Sequence, residues 1–385
     1  MTKAVLMAGG KGSRIRPLTF SRPKPLIPVA NRPLIEYIVN KIKESGYDEI
    51  VVTLSYLKNQ IKDLLLKDFP ELSIKYSIEK EPLGTAGGVK KAAKYLDETF
   101  FVLSGDVLAD VDLNKIFDFH RQKNAIATVV LKHVNDPKEF GIAVLDDKRQ
   151  IIKFLEKPSS KEVFSKIANT GTYIFEPEIF DYMTSLKSEM DFSKDIFPQL
   201  IQEKAGIYGY VFDGYWNDVG RPETYLKANY DVLNEKIGPK PPGKLLKEGV
   251  GRLGKIWVGE DVEIHETARL VGPLVIDNES IIEKGAEVGK NTVLGKNVHL
   301  EKNSSIKGSV IFPDSEIGTN SFLKDCIVDS ECHIEKGSFI ERGAILGSSV
   351  HLGPYCRVHS KRLISNKIKI LPESIIDSNY PIRTK

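Results

Sequence analysis

The C-terminal third of the chain repeats an apolar residue at every sixth position. The series starts at Val258 and runs to Phe312, and after slips of one residue it resumes at Ile317 and again at Ile334. A small residue often follows the apolar one, as in VGED, VGKN and LGSS. A six-residue period is typical of a parallel β-helix, in which each hexapeptide forms one flat side of a coil and its apolar residue points into a narrow core. The pattern predicts such a helix over residues 256–376.

The N-terminal part of the chain has a different rhythm, in which strand-like and helix-like segments alternate. KAVLMA, DEIVVTLSY, IKYSIE and TFFVLSGD are short runs rich in β-branched and aromatic residues, whereas PLIEYIVNKIKESGY has helical periodicity, with Pro33 suited to N1 and Gly46 to C′. This alternation predicts a Rossmann-like, doubly wound, mostly parallel α/β sheet over residues 1–236. The Pro- and Gly-rich stretch that follows predicts a linker over 237–255, and residues 377–385 form a tail.

The first βα loop, AGGKGSRIRPLTFSRPKPLIPVANRP, combines flexible, stiff and basic residues. Ligands of doubly wound sheets bind at the carboxyl ends of strands, where this loop lies. Glycines let backbone N–H groups approach an anion, and basic side chains neutralise it. The residues suited to a nucleoside triphosphate are Gly9, Gly10, Gly12, Arg14 and Lys24. The loop is neither a dinucleotide fingerprint, because Ile15 stands where a third glycine is needed, nor a Walker A sequence.

Composition excludes several other classes of protein. The formal net charge is only +3, and the basic excess is local to the first loop, so we expect no nucleic-acid partner. No apolar run nears membrane-spanning length and the N-terminus has no signal-like apolar region, so we expect no membrane partner and a cytoplasmic location. The three cysteines fit neither a disulfide framework nor a zinc site, which predicts small core side chains in a reducing compartment.

The loop sequence closely resembles the signature of the sugar-1-phosphate nucleotidyltransferases, also called NDP-sugar pyrophosphorylases. The pattern G-G-x-G-[ST]-R-x-x-P-L-T followed by P-K-P is long and specific. Further segments follow in the order and spacing of that family: EKEPLGTAGGVKKA, LSGDVL, FLEKP, NTGTYIFEPEIF, DFSKDIFPQL and YWNDVGRPETYLKANY. The resemblance covers the whole first half and is strongest to the mannose-1-phosphate guanylyltransferases. A C-terminal left-handed β-helix is common in the family.

The resemblance implies transfer of a nucleoside monophosphate from an NTP to a sugar 1-phosphate, giving an NDP-sugar and pyrophosphate, with Mg²⁺ as cofactor. The implied catalytic residues are Arg14, Lys24, Asp106 and Asp218, and the two aspartates hold the metal. The implied nucleotide-binding residues are Leu6, Ala8, Gly9, Gly10, Gly12, Arg14, Lys24, Glu79, Pro82, Gly84 and Thr85. The implied sugar-phosphate-binding residues are Gly141, Glu156, Lys157, Asn169, Gly171 and Lys194.

The strand pattern supports the metal assignment independently. Asp106 ends the apolar run FFVLSGD, so its carboxylate should emerge at the carboxyl edge of the sheet, and Asp218 follows another strand-like run. Magnesium prefers such hard oxygen ligands. The alternative is that Asp110 and Asp112 are the important acids, although ADVDLNK reads as a helix start with Asp112 as its N-cap.

The choice of base depends on Glu79. A carboxylate only accepts hydrogen bonds, and guanine offers it two adjacent donors, N1–H and the N2 amine. GTP is therefore favoured, with mannose 1-phosphate as the acceptor that the resemblance implies. The alternative is that Glu79 faces solvent and the backbone of Gly84 and Thr85 reads the base, which leaves a UTP-dependent glucose-1-phosphate uridylyltransferase open.

Two other readings stay open, and the repeat carries one more expectation. Hexapeptide β-helices often carry acyltransferase activity with a histidine base, and five of the seven histidines lie in the repeats. A regulatory paralogue that only binds sugar nucleotides is disfavoured because the loop and metal residues are present.

An end coil exposes backbone edges and apolar side chains, so we expect a homo-oligomer through the β-helix. Truncation near Gly254 is expected to leave a folded catalytic domain.

Overall fold

The computed structural model describes residues 2–184 and 189–380. The chain forms two compact units that do not follow simple chain order. Unit 1 comprises Met1–Lys11, Pro23–Leu26 and Leu34–Asp218, and unit 2 comprises Gly12–Arg22, Ile27–Pro33 and Val219–Lys385. The sequence-based boundaries at 236 and 255 stay predictions, and part of the predicted tail, residues 381–385, lies outside the described residues.

The helices and strands that precede the repeats are as follows. The α-helices are α1 Leu34–Glu44, α2 Lys58–Asp68, α3 Gly84–Lys91, α4 Leu113–Lys123, α5 Phe197–Gln202 and α6 Pro222–Leu233. Shorter turns are the 3₁₀ segments Ser13–Ile15, Leu18–Phe20, Lys24–Leu26, Ala93–Tyr95 and Pro177–Tyr182, and the π-helical turn Phe192–Ile196. The strands are β1 Lys3–Met7, β2 Pro28–Val29, β3 Arg32–Pro33, β4 Glu49–Leu54, β5 Ser73–Ile78, β6 Phe100–Ser104, β7 Val107–Ala109, β8 Ala127–His133, β9 Gly141–Leu145, β10 Ile151–Glu156, β11 Ile167–Phe175, β12 Ile207–Val211 and β13 Trp216–Asp218.

Unit 1 is built on one mixed sheet with β1 at its centre. The order β5-β4-β1-β6 is entirely parallel, with Val5 opposite Val51 on one side and Val102 on the other. Beyond β6 the sheet continues through β11, which is antiparallel and also pairs with β8 and β9. The four apolar runs predicted as strands are confirmed as β1, β4, β5 and β6, and the fold class is confirmed.

Both faces of this sheet are covered at its centre, which explains why β1, β4 and β6 consist mostly of buried apolar residues. Val5 packs into one apolar cluster, whereas Leu6 packs into the other. Helix α1 begins at Leu34, one residue later than predicted, because Pro33 ends β3. Gly46 has φ +84°, as its predicted position after the helix requires.

The repeats form a parallel β-helix with three sheets, all in unit 2. Sheet 1 contains Lys244–Leu245, Ile256–Val258, Leu274–Ile276, Thr292–Leu294, Val310–Ile311, Ile327–Val328, Ile345–Leu346 and Leu363–Ile364. Sheet 2 contains Arg252–Leu253, Arg269–Val271, Glu287–Val288, Ser305–Lys307, Phe322–Lys324, Phe339–Ile340, Arg357–Val358 and Ile375–Ile376. Sheet 3 contains Glu263–Ile264, Ile281–Ile282, His299–Leu300, Glu316–Ile317, His333–Ile334, His351–Leu352 and Lys369–Ile370. The first strand of sheet 1 is antiparallel to the next one.

The register explains the slips in the six-residue series. Most coils have 18 residues, so that Leu274 lies opposite Thr292, but two consecutive coils have 17. The core position in the first short coil is Ile311, and Phe312, which the series assigns to the core, is wrong by one residue. Phe312 is buried outside the core cluster of the β-helix.

The interior of the β-helix is one continuous apolar cluster that includes the three cysteines. Cys326, Cys332 and Cys356 are free thiols at most 1% exposed, which confirms their prediction as core side chains. Burial raises the pKa of the Cys326 thiol to about 12. Across residues 2–184 and 189–380, every helix is too short or too polar to cross a lipid bilayer.

Candidate active site

Three predicted residues come together beyond the carboxyl end of β6. The Lys24 ammonium nitrogen lies 2.5 Å from Oδ2 of Asp106 and 3.6 Å from Oδ1 of Asp218. Lys24 is only 5% exposed, and both carboxylates are partly buried. One buried cation therefore links two acids that are more than a hundred residues apart in the chain.

Local structure brings the two acids together. Strand β7 follows Asp106 directly and pairs antiparallel with β13, which places Asp218 opposite Val107. Gly105 donates its backbone N–H to the carbonyl of Met7 at 2.8 Å, and a Cβ there would lie 2.7 Å from that oxygen. This close approach of β6 to the end of β1 requires glycine. The Ser104 hydroxyl bonds Oδ1 of Asp106 at 2.5 Å.

Of the two alternative acids, Asp112 has a structural role and Asp110 makes only a surface ion pair. Asp112 caps α4 by accepting the backbone N–H of Lys115 at 3.1 Å, so the predicted N-cap is confirmed. This hydrogen bond lowers the pKa of the Asp112 carboxyl. Asp110 is exposed and lies 3.4 Å from Lys41.

Glu79 directly follows β5 and lies beside the end of β1. Leu6 and Ala8 are buried, and a Cβ on Gly9 would lie 3.5 Å from Oε1 of Glu79. A Cβ on Gly88 would lie 2.6 Å from the same oxygen, so a side chain at this position of α3 would displace the carboxylate. The prediction from sequence did not include Gly88, although the AGG motif contains it.

The Glu79 carboxylate is half-buried. It accepts the backbone N–H of Leu83 at 3.2 Å. Burial raises the pKa of Glu79, and the Leu83 N–H only partly offsets that effect. The carboxylate therefore keeps acceptor capacity at the carboxyl edge of the sheet, where a base donor would use it.

The predicted base-binding segment begins α3 and is fixed against residues 190–192. Gly84 has φ +76°, and a Cβ there would lie 2.4 Å from the carbonyl oxygen of Met190. The Thr85 hydroxyl donates to Asp191 at 2.9 Å and accepts the Phe192 N–H at 3.1 Å. Pro82 is exposed. In the absence of substrate, Thr85 therefore has a structural role.

The predicted sugar-phosphate residues start where β9 and β10 pair. Gly141 lies opposite Glu156, and a Cβ on Gly141 would come within 2.7 Å of Oε2 of Glu156 and 2.5 Å of the Phe154 ring. Lys157 is exposed, has φ +48° and donates its N–H to Phe140 at 3.1 Å. Glycine at 141 thus gives the glutamate its space.

Glu156 lies in a mixed field of charges. Burial raises the pKa of its carboxyl, and the negative charge of Asp191 raises it further. Lys157 and Lys194 act in the opposite direction. The two exposed lysines can bind a phosphate, and the partly buried glutamate beside them can accept a hydrogen bond from a sugar hydroxyl.

A bulge in β11 carries Asn169 and Gly171. Asn169 accepts the Gly171 N–H at 3.0 Å and donates to the Tyr173 hydroxyl at 2.9 Å. Gly171 has φ +79°, and a Cβ there would lie 3.2 Å from Cβ of Ser104, the residue that bonds Asp106. The bulge joins the predicted sugar and metal residues in one region of unit 1.

Lys194 lies on a π-helical turn whose first residues are held by Asp191. The Asp191 carboxylate accepts the N–H of Ser193 at 2.9 Å and of Lys194 at 3.2 Å. Asp191, Ser193 and Tyr173 contact the predicted residues Lys194 and Asn169 but are not among the residues predicted from the sequence. They stand in DFSKD and NTGTY, where a polar residue beside an aromatic one is also typical of a turn.

Three predicted nucleotide residues remain. Gly10 is exposed in unit 1, whereas Gly12 and Arg14 belong to unit 2. Gly12 has φ +60°, and its carbonyl accepts the Thr19 hydroxyl at 2.9 Å. Arg14 is exposed on the short 3₁₀ turn that follows.

The segment Gly12–Arg22 ends in a buried anchor on the β-helix. The Arg22 guanidinium lies 2.7 Å from Oδ1 of the fully buried Asp329, 3.1 Å from the Ser330 hydroxyl and 4.6 Å above the Phe312 ring. Phe312 and Asp329 are the outward residues that follow Ile311 and Val328, the core positions of the two short coils.

The donor chemistry around Lys24 fits a divalent metal ion. Asp106 and Asp218 supply hard carboxylate oxygens, and a cation of the protein already lies between them. Members of the family generally use a divalent metal. In this chain, Asp106 and Asp218 are the residues suited to hold it.

Two family models match the chain. The "Nucleotidyl transferase" model matches residues 3–235, and the "GMPPB C-terminal domain" model matches residues 270–381. The first match contains the sheet of unit 1 with its carboxyl-edge residues, and the second covers most of the β-helix.

Relatives that span both parts have sugar-phosphate nucleotidyltransferase names. A UTP–glucose-1-phosphate uridylyltransferase of Synechocystis sp. is 34% identical over 85% of this chain and 87% of its own length. A mannose-1-phosphate guanyltransferase of Candida albicans is 32% identical over 98% of both chains. A mannose-1-phosphate guanylyltransferase of Arabidopsis thaliana is 35% identical over 74% of this chain and 79% of its own length.

Solved structures agree for the first part. A putative glucose-1-phosphate thymidylyltransferase from Bacillus anthracis has a TM-score of 0.54 and 27% identity, covering 60% of this chain and 94% of that one. HddC from Yersinia pseudotuberculosis, complexed with GMP-PN, has a TM-score of 0.52 and 28% identity, covering 60% of this chain and 98% of that one. The protein therefore belongs to the nucleotidyl transferase family and is a sugar-1-phosphate nucleotidyltransferase.

Proposed function

We propose that this nucleotidyltransferase takes GTP and mannose 1-phosphate and makes GDP-mannose and pyrophosphate. The observation that carries the proposal is the Lys24–Asp106–Asp218 cluster at the carboxyl edge of the sheet. The partly buried Glu79 carboxylate supports guanine, since it is held at the same edge and is an acceptor for two adjacent donors. The names of most of the curated relatives given above agree with this choice.

The reaction exchanges one P–O bond for another without an enzyme nucleophile. An oxygen of the sugar phosphate attacks the α-phosphorus in line, the bond from the α-phosphorus to the bridging oxygen breaks, and pyrophosphate leaves. The enzyme must hold two anions together and neutralise the charge that grows on the leaving group. Lys24 and Arg14 are proposed for the triphosphate, with Leu6, Ala8, Gly9, Gly10 and Gly12 lining its path. Lys157 and Lys194 are proposed for the sugar phosphate.

The remaining site residues orient the substrates. Glu156 accepts from sugar hydroxyls, while Gly141, Asn169 and Gly171 shape the sugar pocket. Pro82, Gly84 and Thr85 border the base. Mg²⁺ is the proposed metal, held by Asp106 and Asp218, and it supplies charge neutralisation at phosphate oxygens.

A matrix of substrates tests this function. The full chain is incubated in Mg²⁺ buffer with each of GTP, UTP, ATP, CTP and dTTP against mannose, glucose, galactose and glucosamine 1-phosphates, and pyrophosphate release is measured. The expected result is the highest kcat/KM for GTP with mannose 1-phosphate. A higher value for any other pair contradicts the proposed specificity, and no pyrophosphate from any pair contradicts the reaction.

A second candidate is transfer of UMP to glucose 1-phosphate, and the Synechocystis relative favours it. The same matrix separates the two candidates. The acyltransferase reading is tested by incubation with acetyl-CoA and hexosamine phosphates. We expect no CoA release, because the repeats match the GMPPB C-terminal domain model and the relatives named above have nucleotidyltransferase names.

We also propose a cytoplasmic homo-oligomer assembled through the β-helix. The last coils expose large apolar side chains, with Leu371 70% and Ile375 68% exposed. Light scattering of the full chain is expected to give a mass of at least two chains. A mass of one chain at micromolar concentration contradicts the proposal.

A further inference from the structure

The outer face of sheet 3 stacks ionisable side chains in register. Successive strands begin with His299, Glu316, His333 and His351, and each pairs with the next. Adjacent parallel strands lie about 4.8 Å apart, so side chains at one position of neighbouring coils stack on each other. The rings of His333 and His351 accordingly have centroids 5.0 Å apart.

Carboxylates complete this ladder. Glu335 follows His333 by two residues, and its Oε1 lies 2.7 Å from Nε2 of His351. Oε2 of Glu316 lies 2.6 Å from Nδ1 of His333. One ring nitrogen of each of His333 and His351 and one oxygen of Glu335 all lie within 4.8 Å of one another. Among the described residues, His333, Glu335 and His351 form the one group of at least three His, Cys, Asp or Glu side chains whose ligand atoms are this close together.

We propose that His333, Glu335 and His351 form a binding site for a divalent transition-metal ion on the outside of the β-helix. Two imidazoles and one carboxylate are ligands that suit Zn²⁺, Co²⁺ or Ni²⁺, whereas Mg²⁺ prefers oxygen ligands alone. The site is thus chemically distinct from the Asp106–Asp218 pair. It joins two adjacent coils, because His333 and His351 belong to neighbouring strands.

The surroundings favour this role. Ligating histidines usually donate their second ring N–H to a carboxylate, and Glu316 is held at Nδ1 of His333, which leaves Nε2 for the ion. Side chains in the group are a third to a half exposed, so burial does not prevent the rotations that would bring their ligand atoms to the ~2.0–2.2 Å of metal bonds.

Zinc binding to the full chain tests the proposal. Chelator-treated protein is titrated calorimetrically with Zn²⁺ in excess Mg²⁺, which keeps the active-site carboxylates occupied. The variants are His351→Asn and Glu335→Gln. The matched control is His299→Asn, since His299 lies on the same sheet face and pairs with Glu283 at 2.9 Å but belongs to no such group of three.

The expected result is one Zn²⁺ per chain, bound at least about tenfold more weakly by each site variant and unchanged in the control. Co²⁺ is expected to give visible absorption typical of four-coordination, which disappears in His351→Asn. Zinc should also raise the melting temperature of the wild type and the control but not of the site variants. No saturable binding, or equal loss in His299→Asn, overturns the proposal, and circular dichroism confirms that each variant is folded.

Discussion

Lys24 is a buried cation whose charge is balanced by Asp106 and Asp218. Asp106→Asn and Asp218→Asn should each lower kcat by orders of magnitude, because a neutral amide replaces the charged carboxylate that we propose as a metal ligand. Pyrophosphate release at saturating Mg²⁺ measures the loss, and the melting temperature checks the fold.

Asp110→Asn is the matched control, since that carboxylate is exposed and pairs with Lys41. We expect near wild-type turnover from it. If Asp106→Asn or Asp218→Asn matches the control, the replaced aspartate is not a metal ligand.

Glu79 is the residue expected to select the base. Glu79→Gln should lower kcat/KM for GTP by about 1–3 kcal/mol, the scale of a charge-assisted hydrogen bond, and lower that for UTP less. Burial raises the pKa of Glu79, so the wild-type GTP preference should weaken as pH falls towards that raised pKa, where the carboxylate becomes protonated. The ratio in the variant should not follow that titration. A GTP:UTP ratio unaffected by both the substitution and pH contradicts the role.

Single residues also mark the limit of sequence reasoning. Glycine at 105 is required because the backbone oxygen of Met7 lies 2.7 Å from the Cβ position, and a Cβ at 88 would displace the Glu79 carboxylate, whose Oε1 lies 2.6 Å away. These are contacts between segments far apart in the chain, which no local pattern contains. Asp112, by contrast, was predicted as a helix cap because its partner, Lys115, is three residues away.

At the scale of elements, the buried contacts of Arg22 should contribute more to the free energy of unfolding than surface ion pairs do. Arg22→Ala leaves the fully buried Asp329 without its cation, and breaking a buried pair in this way costs about 3–5 kcal/mol. The free energy of unfolding in urea measures it. Because Arg22 ends the segment that holds Gly12 and Arg14, KM for the nucleotide should rise as well.

The control for Arg22→Ala is Arg342→Ala in the same unit. Arg342 is 81% exposed and lies 3.8 Å from Asp325, so its loss should change stability by about 0–1 kcal/mol. Equal effects of the two substitutions would show that burial of Asp329 contributes nothing to the anchor.

The β-helix was predictable because one residue in six repeats a single environment. The two 17-residue coils were visible only as slips, and the sequence placed the first slip one residue late. Ile311 and Phe312 are both large and apolar, so periodicity could not tell which faces the core. The structure distinguishes them because Phe312 packs beneath Arg22.

At the scale of the whole molecule, the structure gives a reason to revise the expectation for truncation near Gly254. Unit 2 contains parts of the first loop together with the repeats, and the Asn31 side chain donates to the Leu294 carbonyl at 2.7 Å. Tyr230 on α6 bonds the carbonyl of Gly308 at 2.5 Å. Chain 1–254 would lose these partners and Asp329.

We therefore expect chain 1–254 to melt at a lower temperature than the full chain and to bind GTP more weakly. Calorimetry and nucleotide titration of both chains measure the two effects. Equal melting temperatures and affinities would instead support an independent catalytic domain.

The Arg22 anchor also restricts how evolution, or a protein engineer, can exchange the repeats. A single recombination breakpoint in 237–255 would join a foreign β-helix to the loop that contains Arg22. In the native chain, Arg22 contacts an aromatic ring, a carboxylate and a hydroxyl on two coils. A functional chimera would need those positions transplanted into the incoming repeats, at the steps where its coils are one residue short. The shortened coils therefore indicate whether a given β-helix can accept the catalytic sequence that precedes it.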